Sequence, residues 1–175
     1  MAIDIPVVDS VEQIGRGYRF KNISGKAVTW RNMQGAATDY APAGYSREFA
    51  LIFSDDLAHQ FEDEGWTCIR WRPIDKNDPD SPLRPYFKIK LNFNSYNPPA
   101  IYIASSDGVN RTRVDEQFLE DQNIDKRTID WCHVGVNPYE SNRMGKDYKS
   151  AYLAEMVIKL QEGMFDDMYG ENIPF

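Results

Sequence analysis

The chain has 175 residues, 42% hydrophobic and 13% aromatic, which suits one folded domain with a sizeable core and excludes a wholly disordered chain. Its formal net charge of −7 argues against a uniformly basic nucleic-acid binder, but charge acts through its distribution: acids gather in Asp55 to Glu64, in Asp115 to Asp125 and after Gln161, and the stretches between are locally basic. Met1-Ala2-Ile3-Asp4 does not begin a signal peptide and no apolar run approaches membrane-spanning length, so a soluble, cytoplasmic protein is expected.

Residues 1 to 17 mix Pro6, acids and short apolar pieces and read as an N-terminal arm. Tyr18 to Arg31, with Tyr, Phe, Ile, Val, Thr and Trp, predicts strand, and Ser24-Gly25 predicts a turn or bulge inside it. Asn32 to Tyr45 holds Gly, Ala and Pro42 and predicts a long loop, of a kind that is often functional. Arg47 to Phe53 is almost continuously apolar and predicts a buried strand. Ser54 can cap a helix whose first turn carries Asp55 and Asp56, and Gly65 ends it. Trp66 to Arg72 predicts strand up to Pro73, and Asp75 to Arg84 a polar loop. Tyr86 to Asn94 alternates: Phe87, Ile89, Leu91 and Phe93 share one face, and Tyr86, Lys88, Lys90, Asn92 and Asn94 the other. Ile101 to Ile103 predicts a short strand, Val114 to Gln122 a short helix, and Thr128 to Val136 and Tyr148 to Leu160 two more strands. Cys68 and Cys132 fall inside strands, so buried free thiols and a reducing compartment are expected. Many short strands, about two helices and no βαβ alternation predict a mainly β fold with small helices. The expected form over residues 18 to 160 is an OB-fold-like closed barrel with a capping helix, followed by an acidic, flexible tail over 161 to 175.

The face Tyr86-Lys88-Lys90-Asn92 is the first candidate for binding. Residues 84 to 96 hold Arg84, Lys88 and Lys90 and no acid. A sheet surface with amines and rings can track a phosphate chain and stack bases, although lysines also defend ordinary solvated strands. Arg70 and Arg72 share one face as candidate phosphate contacts, with Trp71 on the other toward the core. Trp30 and Arg31 enter the long loop, and Tyr45 and Arg47 frame its far end. Trp30 fits the core as well as it fits stacking. Tyr139, Lys146, Tyr148 and Lys149 lie in a segment read as a loop that can clamp a strand. Catalytic patterns are missing: His59 and His133 stand apart, and there is no Cys-x-x-Cys, His-x-x-x-His, phosphate-binding Gly-rich loop or Gly-x-Ser-x-Gly. No catalytic residue, cofactor or metal is expected.

After Gln161 come Glu162, Asp166, Asp167 and Glu171 without a Lys or Arg, and the sequence stops on Ile173-Pro174-Phe175. Charge favours solvation of this segment, and its Pro and Gly oppose regular structure. The terminal carboxylate sits on Phe175, so ring and charge form a compact ligand for a basic rim around an apolar pocket. This ending resembles the C-terminal tip of bacterial single-stranded DNA-binding proteins. That resemblance implies that Asp166, Asp167, Ile173, Pro174 and Phe175 recruit replication and repair proteins. The body resembles phage-encoded single-stranded DNA-binding proteins of OB type. The resembling residues are Phe49-Ala50-Leu51-Ile52-Phe53, the acidic helix, Gly65-Trp66, Pro98-Pro99-Ala100-Ile101 and Ala151-Tyr152-Leu153. Two departures matter: the long Gly/Gln-rich linker before the bacterial tip is missing, and so is that family's opening strand motif, so tetramer formation does not carry over. The resemblance implies a non-enzymatic protein that coats and protects single-stranded DNA during replication, recombination or repair, with little sequence preference. Two other classes stay open on the residues alone: a metal-dependent nuclease or resolvase accessory, and a protein-interaction adaptor. A metal-dependent cleavage assay separates the first, and a gel shift the second.

Overall fold

A computed structural model describes residues 6–37, 39, 42–44 and 46–161. Tyr45 and the acidic tail, with Asp166, Asp167, Ile173, Pro174 and Phe175, lie outside the described residues. The strands are β1 (Glu12–Ile14), β2 (Gly17–Ser24), β3 (Val28–Asn32), β4 (Arg47–Ile52), β5 (Ile69–Pro73), β6 (Leu83–Leu91), β7 (Ala100–Ala104), β8 (Arg111–Val114), β9 (Ile129–Arg143) and β10 (Lys146–Leu160). The helices are α1 (Asp55–Asp63) and α2 (Glu116–Asp121). No helix among them is long and apolar enough to cross a membrane.

One sheet runs in the order β1-β2-β9-β10-β6-β4-β3, with β5 added on β6, β7 on β10, and β8 on β7. The expected closed barrel does not form. The path ends at β1 and β3, and among the described residues no ladder joins those ends. β2 and β3, which one continuous barrel strand would merge, are separated at Ser24: its hydroxyl accepts from the Lys26 amide and starts a 3-10 turn over Gly25–Ala27. The chain between β2 and β3 therefore spends its polar groups on a turn instead of a ladder. Gly25 is required there, because a Cβ would collide with the Ile129 carbonyl.

The sheet still wraps one core. Phe20, Phe53, Phe61 and Phe87 are fully buried. Phe87 stacks on Phe53 at 4.7 Å between centroids and meets Phe61 edge-on at 5.2 Å. Helix α1 supplies Leu57, Ala58 and Phe61 to that core. It begins as its sequence dictates, with the Ser54 hydroxyl accepting from the Leu57 amide and Asp55 and Asp56 in the first turn. Cys68 and Cys132 are buried free thiols, and burial pushes them up to about 11 and about 12. Both stay protonated and unreactive at neutral pH.

Three stretches differ from the sequence reading. The arm is tied down: Val8 donates to the Ile52 carbonyl at 2.8 Å and accepts from the Ser54 amide at 2.9 Å, and β1 forms a hairpin with β2. Strand β8 precedes α2. The segment Asn137 to Lys149 is not a loop: β9 and β10 run on as a long antiparallel ribbon. Its turn is Met144-Gly145, at φ of 53° and 81°, the left-handed pair that closes a two-residue hairpin.

Candidate nucleic-acid interface

Strand β6 sets the geometry. Its inward row Phe87, Ile89 and Leu91 is buried, so Arg84, Tyr86, Lys88 and Lys90 project from the other side. Register then places their neighbours. Arg72 lies opposite Arg84 and Arg70 opposite Tyr86 on β5. Ala50 lies opposite Lys88 and Glu48 opposite Lys90 on β4. Tyr152 on β10 is the other partner of Lys90, and Asn137 on β9 follows it. Five cations and two tyrosines therefore share one outer face. Arg72 and Arg84 face each other across the ladder, a like-charge pair that favours a bound anion.

Trp30 joins this face through a bulge. Alternation from the buried Val28 would turn Trp30 inward. The β3–β4 register slips between Thr29 and Asn32, and Trp30 sits at φ 51°. That left-handed backbone turns the ring outward, where it stacks on Tyr86 at 4.1 Å and 20°. Trp30 remains 38% exposed while Tyr86 is 8% exposed. So Trp30 offers the free aromatic surface, and Tyr86, expected as the stacking ring, supports it from below with Ala50 and Ile52. Strain of this kind, of order 1–3 kcal/mol, persists at sites where it positions a group.

Beyond Lys90 the face deepens into a cleft of about 790 Å³ that includes Lys90, Asn92, Asn94, Arg143 and Tyr152. Asn92 is held by its side chain, which accepts from the Asn94 amide at 3.0 Å. Tyr139 meets Tyr152 edge-on at 5.6 Å, and Lys146 lies 5.5 Å from the Tyr148 ring on the ribbon. Arg143 belongs to the segment that sequence already marks as able to clamp a strand; Tyr152 has no such signal and reaches the face only through register. Two acids temper the charge: Glu48 pairs with Lys88 at 3.5 Å, and Glu116 borders the cleft. Arg70 and Arg72 are exposed, each lending one guanidinium nitrogen to nearby carbonyls of their own segment.

Three expected contacts have partners within the fold. Arg47 is 6% exposed and donates to the Met33 carbonyl at 2.8 Å, while its other arm meets Glu120 at 2.7 Å and Glu116 at 3.3 Å. It ties β4 to α2. Arg31 donates to the Ile124 and Arg127 carbonyls at 3.1 and 2.8 Å. Burial lowers its pKa, and Asp125 opposes that shift. Lys149 points to the other side of β10, donates to the Glu64 carbonyl at 3.1 Å and lies 4.7 Å over the Trp66 ring. All three hold the fold. Trp71, on the side away from Arg70 and Arg72, packs partly on the core and stacks on His59 at 5.1 Å.

A basic, ring-bearing sheet face is the arrangement that single strands require. The family model described as "Putative phage ssDNA-binding domain" matches residues 16–175. The chain belongs to this family. A comparison with curated proteins gives no match. The single-stranded DNA-binding protein from bacteriophage Enc34, solved in complex with ssDNA, is 9% identical over 85% of this chain and 88% of its own, with a TM-score of 0.51. Another structure of that phage protein gives a TM-score of 0.49 at 10% identity, covering 91% of this chain and 87% of that one. A C-terminal truncation gives 0.49 at 9% identity, covering 85% and 88%. At this identity the likeness is one of fold.

Proposed function

We propose that this member of the phage family coats single-stranded DNA across the outer face of β4, β6 and β10, with little sequence preference and without catalysis. The observation that carries the reading is Trp30 held outward over Tyr86, in line with Arg70, Lys88 and Lys90. Phosphates meet the cations and a base meets the indole; neither contact reads base edges. Residues 18–160 form the DNA-binding unit in this reading, working in the host cytoplasm during replication or recombination. The test is an oligo-dT titration at several salt concentrations. Affinity should fall with salt, and Lys90→Ala should reduce the log–log slope by about 0.7, one released counterion. Salt-independent binding, or preference for duplex, would sink the reading.

Residues 161–175 serve in this proposal as the recruiting tail. The support is that the family match runs through residue 175, together with the acids Asp166 and Asp167 and the ending Ile173-Pro174-Phe175. Deleting Met164 to Phe175 should abolish capture of replication or recombination proteins. The same deletion should preserve or tighten DNA binding at low salt, where acids and the basic face attract most strongly. Pull-downs with the two chains compare the partners; identical partners from both would remove the tail from the proposal.

A further inference from the structure

A second positive cleft lies on the same sheet, past the far end of the first. Alternation along β9 carries the outer face from Asn137 through Gly135 to His133, a distance of ~13 Å. Arg19 lies opposite Gly135 on β2. On the other side, His133 is followed across the strands by Val157, Tyr102 and Arg113, and Arg111 lies opposite Ala104. The cleft holds about 540 Å³ and includes Arg19, Lys21, Tyr102, Arg111 and His133. Two of its charges are already matched: Arg19 pairs with Glu155 at 3.0 Å and Lys21 with Glu12 at 3.1 Å. Among the described residues neither Arg111 nor Arg113 has a carboxylate at ion-pair distance, and both are exposed.

Two features mark this as a place for phosphate. His133 is held below its ordinary pKa, first by burial and then by Arg111, Lys21 and Arg19, so the local potential is positive. Its Nδ1 accepts from the Asn22 amide at 3.0 Å, which fixes the ring and leaves Nε2 to donate. Tyr102, half-buried on the same face with Val157 between, supplies a second polar tip and a ring.

We infer that Arg111, Arg113, Tyr102 and His133 form a second phosphate-binding tract, which takes the backbone of the same DNA strand after it leaves the Trp30–Lys90 face. This inference rests on the proposed single-strand binding and adds length to the path. Arg111 and Arg113 provide the free charges; Arg19 and Lys21 would exchange Glu155 and Glu12 for phosphate.

The test measures anisotropy of labelled oligo-dT at two lengths, about 6 nucleotides, inside the site range of one such domain, and about 24, beyond it. The full chain is compared with R111A/R113A and R111K/R113K. The short strand should bind all three equally. For the long strand the alanine pair should weaken binding and lower the salt slope by about 1.4, two counterions, and the lysine pair should restore both. An alanine pair that binds the long strand with unchanged affinity and slope would overturn the second tract. Failure of the unaltered chain to bind the short strand would overturn the reading beneath it instead.

Discussion

Phe87→Ala is expected to cost the domain roughly 3–5 kcal/mol of stability, the largest effect of any single change considered. The ring is fully buried. It stacks on Phe53 at 4.7 Å and has Phe61, Trp66 and Phe20 at 5.2, 5.5 and 6.0 Å between centroids. These rings come from β2, β6, α1 and the segments flanking α1, so no local shift can fill the space left behind. Denaturant unfolding checks it: the midpoint should fall with the slope unchanged. Lys88→Ala next door, on the outer face, should stay within about 0.5 kcal/mol of the unaltered chain. If the two variants exchanged these behaviours, the β6 register would be displaced by one residue.

Trp30→Ala is expected to weaken single-strand binding by roughly 1–3 kcal/mol, on the order of 5- to 150-fold. The ring is the exposed member of the Trp30–Tyr86 stack, and its removal leaves Tyr86 lower in the surface and flanked by Ala50 and Ile52. Stability should change far less than for Phe87→Ala, because Trp30 fills no part of the main core. An equilibrium titration with oligo-dT beside a thermal melt separates the two effects. A binding loss smaller than that of Lys90→Ala would remove stacking as the principal contact.

The contrast between these two residues shows what could be read from sequence. Clean alternation from Tyr86 to Leu91 assigned both faces of β6 without any tertiary information, because one face is buried and a slip would invert it. The cap Ser54-Asp55-Asp56 and the stop at Gly65 located α1 for the same local reason. Trp30 could not be assigned, since its direction depends on a bulge whose only trace is a register slip against β4. Arg31, Arg47 and Lys149 look like free cations in a linear chain. The structure shows partners distant in sequence: the 3-10 turn at Ile124–Lys126 and Arg127 for Arg31, α2 for Arg47, and the end of α1 for Lys149. The closed barrel does not form, and Ser24-Gly25, which sequence left as a turn or a bulge, is a 3-10 turn over Gly25–Ala27 that divides β2 from β3. Arg143 and Tyr152 joined the face because Met144-Gly145 makes a tight hairpin of what composition alone presents as a polar loop.

In the proposed path the strand crosses the sheet over Trp30. Intrinsic tryptophan fluorescence reports on this crossing, because Trp66 is buried and Trp71 and Trp131 are half-buried, leaving Trp30 as the exposed indole of the four. Titrating a short oligo-dT of about 6 nucleotides, within the site range of one domain, should quench the unaltered chain strongly. Trp30→Phe, which keeps a stacking ring, should bind with similar affinity and lose most of that quench. An equal quench in both proteins would place the strand elsewhere on the surface.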